Sequence, residues 1–135
     1  AGVSQSIFVL SYVPPGLIVK LVGVKGARGV GIAQTFPNPN GKTLPLHREF
    51  HAAMKEAFPQ VTEYTPFQLE GYLSARTVGE ALKRSKELTA ASLQSTLSTM
   101  GMVDFGGFRV DVSKGNVRSR FVDIGVIGAD GRLRY

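Results

Sequence analysis

Both histidines of this 135-residue chain fall in one short stretch, HREFH at 47–51, with Glu49 between them. Imidazoles four positions apart share a helix face, the arrangement with which zinc hydrolases grip their metal. That chemistry also needs a glutamate directly after the first histidine, where it reaches the metal-bound water. Arg48 stands there instead, and its cation opposes metal binding beside the ligand. The chain has no cysteine and no third histidine to complete a zinc site. Leu46, Phe50, Ala53, Met54, Ala57 and Phe58 form the apolar stripe of the same helix. That stripe leaves His47 and His51 one residue off it, on the flank toward solvent. Two surface or boundary histidines are expected. A small standalone α/β enzyme or metal-binding domain using His47 and His51 is the alternative.

Other reactive groups do not converge either. No serine sits in a Gly-x-Ser-x-Gly elbow, and neither histidine has a triad partner. The glycine-rich run GVKGARGVG (23–31) precedes an apolar stretch, whereas a phosphate cradle follows a strand and opens a helix. Glu49 with Glu56, and Glu80 with Glu87, are helically spaced carboxylates of the solvated kind. The expectation is a non-enzyme with neither metal nor cofactor.

The elements that would position these residues alternate in type. SIFVLSYV (6–13) is a nearly continuous apolar run ended by Pro14-Pro15-Gly16, which reads as a parallel strand buried on both faces. Leu17 to Val22 reads as a short helical turn ending at Gly23, and GVGIAQTF (29–36) as the next strand, stopped by PNPNGK. A helix follows from about Leu44 to Phe58, ended by Pro59. TPFQ at 65–68 is a helix start: Thr65 as N-cap, Pro66 in the first turn, Gln68 closing a capping box. That helix runs to about Ser85, with Lys83, Arg84 and Lys86 near the negative end of its dipole. Thr89 caps a third helix, whose Leu93, Leu97 and Met100 face inward until Gly101. GGFRVDVS then alternates, with Phe108, Val110 and Val112 on one face. After the connection KGNVRS comes RFVDIGVIGADGRLRY, with Asp130-Gly131 as a tight turn. The fold class is α/β, in the order β-α-β-α-α-α-β-β.

The size is that of one ordinary domain, and 43% hydrophobic residues suffice for a core. No apolar run approaches the ~20 residues that cross a bilayer. The net charge of +6 is spread over Lys20, Lys25 and Arg28, the Lys83–Lys86 region and the C-terminal strands. No dense basic tract is interleaved with aromatics, so no nucleic-acid partner is expected. Three long helices are too many for so thin a sheet. The start also lacks a basic n-region and an initiator Met. The chain therefore reads as the latter part of a larger α/β protein.

FQLEGYLSARTVGEALKRS (67–85), followed by DFGGFRVDVSKGNVRSRFVDIGVIGADGR, carries a family resemblance. It is similar to the C-terminal portion of the periplasmic solute-binding proteins of the branched-chain amino acid (Leu/Ile/Val-binding) type, which feed ABC importers. HREFHAAMKEAFP also resembles a helix of that family, in which the histidines would be variable surface decoration.

The resemblance implies a portion of a type I periplasmic-binding-protein fold: two Rossmann-like lobes closing on a solute. Residues 1–36 would be part of the second lobe, 37–43 a crossover loop, 44–112 part of the first lobe, and 113–135 a crossover and return strand. It implies Phe36 and Pro37 as hinge. It also implies Tyr12 and Val13, in the loop after the first strand, and Tyr72 as ligand-binding residues. Where some relatives carry an acid in that loop, this chain has Val13-Pro14-Pro15, which favours an aromatic or carboxylic solute over an α-ammonium group. The implied partners are a small solute, an amino acid or organic acid, and an ABC permease in the membrane. The implied location is periplasmic or otherwise extracytoplasmic. A sensory ligand-binding domain of the same fold is a variant of this reading. Taken alone, such a portion would pair as a homo-oligomer or exchange elements with a second copy.

Overall fold

The computed structural model describes residues 5–113 and 119–135. Most of the connection KGNVRS (residues 114–118) lies outside the described residues, as do residues 1–4. The chain divides into two compact units, Ala1–Phe36 with Val122–Tyr135, and Pro37–Phe121.

The first unit holds β1 (Phe8–Leu10), α1 (Pro15–Ala27), β2 (Gly31–Gln34), β5 (Asp123–Ile127) and β6 (Leu133–Arg134). Its sheet runs β1-β2-β5-β6, with β1 and β2 parallel and the other pairings antiparallel. The parallel pair needs a crossover, and α1 supplies it. Side chains alternate across the pleat, so one face carries Val9, Ile32, Ile127 and Leu133. These pack with Ala27, Val30, Ile18 and Val19 to form the core beneath α1. The opposite face carries Phe8, Leu10, Ile124 and Val126, which remain exposed. They are in register through Gly31 and Ala33 of β2. Phe8 lies across Gly31: a Cβ there would come within 2.4 Å of its ring.

Two expectations are corrected in this unit. The first strand is a three-residue edge strand with Phe8 and Leu10 exposed, not one buried on both faces. Its apolar run specifies a surface to be covered, but only one face meets a helix. The helix after it is longer than a turn ending at Gly23. It begins at Pro15, breaks at Gly23 (φ 73°, ψ 164°), and resumes to Ala27. Gly23 tolerates that left-handed φ because it has no Cβ.

The second unit holds α2 (Pro45–Ala57), α3 (Pro66–Arg84), α4 (Ala90–Thr99) and a hairpin of β3 (Met102–Asp104) and β4 (Arg109–Asp111). Four short strands, not two, therefore follow the three helices. The α3 start has the expected chemistry: Thr65 Oγ1 accepts from the Gln68 N–H (3.3 Å), and the Gln68 side chain accepts from the Thr65 N–H (2.8 Å). Leu46, Phe50 and Met54 of α2, Leu69, Leu73 and Ala81 of α3, and Val103, Phe105 and Phe108 of the hairpin are buried. The hairpin turn seats the start of α2, because the Leu46 N–H donates to the Gly106 carbonyl at 3.1 Å. No residue of α4 is fully buried, and its Leu93, Leu97 and Met100 are half-buried.

Candidate functional site

In open α/β sheets, ligands meet the carboxyl ends of strands and the helix N-termini that follow. In the first unit that place is the turn from β1 into α1. The Val13 N–H donates to the Leu10 carbonyl (3.0 Å), closing the turn tightly after the strand. Pro14 is the N-cap of α1 and Pro15 opens it, so the turn is stiffened by two fixed φ angles. This presents Tyr12 to solvent, 73% exposed, with Val13 half-buried beside it. A rigid loop offering an aromatic face and a phenolic hydroxyl can wall a pocket and donate or accept one hydrogen bond.

Tyr72 belongs to the second unit. Its ring lies against Phe50 of α2 (centroids 5.4 Å apart), and its hydroxyl accepts from Arg76 Nη1 at 2.8 Å. Arg76, one turn further along α3, also pairs with Glu49 of α2 at 2.5 Å and spreads over the Phe105 ring. The bond to Glu49, then that to Tyr72, raises the Arg76 pKa above its ordinary value. Because the Tyr72 oxygen is accepting, its proton is free to donate to an acceptor such as a carboxylate. Beside it runs an apolar groove of about 430 Å³ between α2 and α3, lined by Met54, Ala57, Phe58, Val61, Gly71 and Tyr72 among others. Arg76 and Glu49 are absent from the sequence-derived set. The four-residue step from Tyr72 to Arg76 is the one signal that points to them.

The histidines are not where the stripe puts them. His47 is only 3% exposed, so it is a core residue and not surface decoration. Its Nδ1 accepts the Leu44 N–H at 3.2 Å, which fills the return half of a capping box, since a leucine N-cap has no acceptor of its own. That bond fixes the proton on Nε2, which is buried and has no hydrogen-bond partner among the described residues. Gly41 closes over the ring: a Cβ there would stand 2.4 Å from Cε1. Burial, then the charge of His51, lowers the His47 pKa, and the Asn38 carbonyl acts weakly in the opposite sense. His51 is half-buried and donates from Nε2 to the Pro39 carbonyl (2.7 Å), with its ring against Tyr64 (4.9 Å). With Nδ1 engaged and Nε2 enclosed, His47 has no lone pair to offer a metal. Among the described residues no group of three or more His, Asp and Glu side chains could hold one.

Phe36 and Pro37 are the consecutive residues at which one unit ends and the other begins. Tyr12 and Val13 fall in the first unit and Tyr72 in the second.

The family model for the periplasmic binding proteins matches residues 1–130. Several crystal structures resemble the chain. The extracellular ligand-binding receptor of Verminephrobacter eiseniae is 67% identical, with a TM-score of 0.88 over 98% of this chain and 38% of its own. The substrate-binding periplasmic protein of Ralstonia solanacearum is 27% identical (TM-score 0.81, 96% of this chain, 38% of its own). A possible leucine/isoleucine/valine-binding protein of Rhodopirellula baltica is 25% identical (TM-score 0.80, 98% of this chain, 36% of its own). The chain thus spans well under half the length of the solved proteins it matches. Comparison with curated proteins returns no match.

Proposed function

This chain belongs to the periplasmic binding protein family, and from that premise we propose that it is the C-terminal share of an extracytoplasmic solute receptor serving an ABC importer. The observation that carries this is 67% identity over 98% of the chain to a ligand-binding receptor. The receptor binds a small amino acid or organic acid between two lobes and performs no catalysis. Its membrane partner is an ABC permease.

The division into units supports the lobe assignment. Ala1–Phe36 with Val122–Tyr135 belongs to one lobe, Pro37–Phe121 to the other, and Phe36-Pro37 is a hinge passage. In this reading Tyr12, Val13 and Tyr72 are the residues that contact the solute. Tyr12 is favoured by its exposure on a stiff turn at a strand's carboxyl end. The donor available on the Tyr72 hydroxyl, beside the Arg76 cation, suits a carboxylate-bearing solute. Among the described residues no helix is long and apolar enough to cross a membrane, which accords with a receptor outside the permease.

The test is a thermal-shift screen of the whole receptor against neutral, acidic and aromatic amino acids and simple organic acids. A binder at about 100 times its Kd stabilises by about 2.7 kcal/mol, a shift of several degrees. A screen in which no class of small carboxylate raises the Tm overturns the proposal.

A further inference from the structure

The loop from Pro37 to Lys42, over which the chain passes into the second unit, is held from one side by a compact set of bonds. His51 donates to the Pro39 carbonyl at 2.7 Å. Asn40 exchanges two hydrogen bonds with the Tyr64 backbone, each 2.8 Å. Gly41 lies directly on the His47 ring, and the Gly41 N–H closes a turn onto the Asn38 carbonyl at 2.9 Å. Beneath them His47 holds the Leu44 N–H. The two rings are stacked, with centroids 6.3 Å apart.

We propose that His47 and His51 form a proton-operated clamp that holds residues 37–42 on α2 when neutral and releases them when His47 takes up a proton. The two rings have different roles. Nδ1 of His47 is an acceptor, so a proton there faces the Leu44 N–H donor to donor and cannot be accommodated in place. Its Nε2 is enclosed with no hydrogen-bond partner among the described residues, and the Asn38 carbonyl offsets only part of the cost of burying a charged ring. The ring must leave its seat, and Gly41 with the loop above it must lift to let it out. His51 acts differently, because it holds the loop directly, its Nε2 donating to the Pro39 carbonyl. Its charge, next to the His47 ring, opposes a proton on His47.

The charged groups around the seat do not neutralise an incoming proton. Of those on α2, His51 is the one whose charge acts on His47. Arg48 and Glu49 are exposed, and Glu49 pairs with Arg76. Lys42 on the loop and Glu63 ahead of α3 are exposed, and Tyr64 contributes its ring to His51. On the hairpin, Asp104 is turned to the Gly107 N–H and to Arg109. Burial and the charge on His51 both push the His47 pKa down, which places release on the acid side of its ordinary value.

The experiment is hydrogen exchange of the loop and the α2 start in the whole receptor between about pH 7.5 and about pH 5, with histidine ring titration by NMR. Corrected for intrinsic rate, protection of the Gly41 and Leu44 amides is expected to fall about tenfold per pH unit between the ordinary and the lowered His47 pKa. His47→Asn, which offers an uncharged acceptor to the Leu44 N–H, is expected to remove that dependence. Protection that does not change with pH overturns the clamp, as does a dependence that persists in His47→Asn. Should His47→Asn not fold, the unsubstituted protein still decides. Ring and amide midpoints that coincide support the clamp, and midpoints that differ overturn it. None of these outcomes turns on which solute the receptor binds.

Discussion

Gly106→Ala compared with Gly101→Ala separates backbone strain from steric collision in the turn that seats α2. Both glycines have positive φ, 73° and 68°. An alanine in that left-handed region costs about 1–2 kcal/mol from conformation alone. At Gly101 a new Cβ meets nothing within 4 Å, so the conformational cost is the whole effect. At Gly106 it would lie 2.6 Å from the Leu46 nitrogen and 3.2 Å from its Cα, which are backbone atoms and cannot swing aside. The hairpin must draw back from α2, loosening the bond from the Leu46 N–H to the Gly106 carbonyl. Overpacking of this kind adds about 1–3 kcal/mol. Gly106→Ala is thus expected to cost about 2–5 kcal/mol against about 1–2 for Gly101→Ala. Since the chain has no tryptophan, urea unfolding would be followed by circular dichroism. With a slope of about 1.5 kcal/mol per molar, a 3 kcal/mol loss moves the midpoint by about 2 M. Equal midpoints for the two variants would refute the close approach of hairpin and helix.

Three further outcomes follow from the same geometry. Thr65→Ala removes the acceptor for the Gln68 N–H and is expected to cost about 1 kcal/mol, with Thr65→Ser retaining most of it; urea midpoints check this. Tyr12→Ala, at a site 73% exposed, is expected to leave stability within about 0.5 kcal/mol. Calorimetry on the whole receptor should show solute binding about tenfold weaker in that variant, or about 1.4 kcal/mol. The third concerns acid. The folded-state pKa of His47 is depressed, so the unfolded chain binds more protons near and below the ordinary histidine value. Its contribution is complete above about pH 6.5 and is lost as pH falls through the lowered value. Asp104 and Asp130 are also held low, chiefly by backbone N–H donors, so their contributions fade only below the ordinary carboxylate range. Urea midpoints between about pH 7.5 and about pH 5 should therefore drop for the unsubstituted protein and stay flat in His47→Asn.

Local signals in the sequence survived folding well. TPFQ specified both bonds of the α3 cap, because a capping box is complete within four residues. The stripe of Leu46, Phe50 and Met54 was likewise readable from helical spacing. What that spacing could not supply was the width of the covered face. His47 is buried because Gly41, six residues earlier, and the capping geometry at Leu44 close over it, and neither follows from periodicity. The run at 6–13 failed in the opposite sense. Its hydrophobicity told what the strand is made to touch, whereas exposure depends on which neighbours are present. For the candidate site, the turn SYVPPG was legible from its prolines and its place after a strand. The ion pair of Arg76, the partner of the Tyr72 hydroxyl, with Glu49 needed the packing of α3 on α2.

The sheet of the first unit joins chain segments that are far apart in order of manufacture. Ala33 pairs with Ile124, so the β2–β5 ladder cannot close until a ribosome has released nearly all of this segment. The whole of Pro37–Phe121 emerges in the interval, and as a contiguous stretch it can settle first. The free edge of β2 waits through that interval, a window in which a chaperone or a neighbouring nascent chain competes with β5 for it.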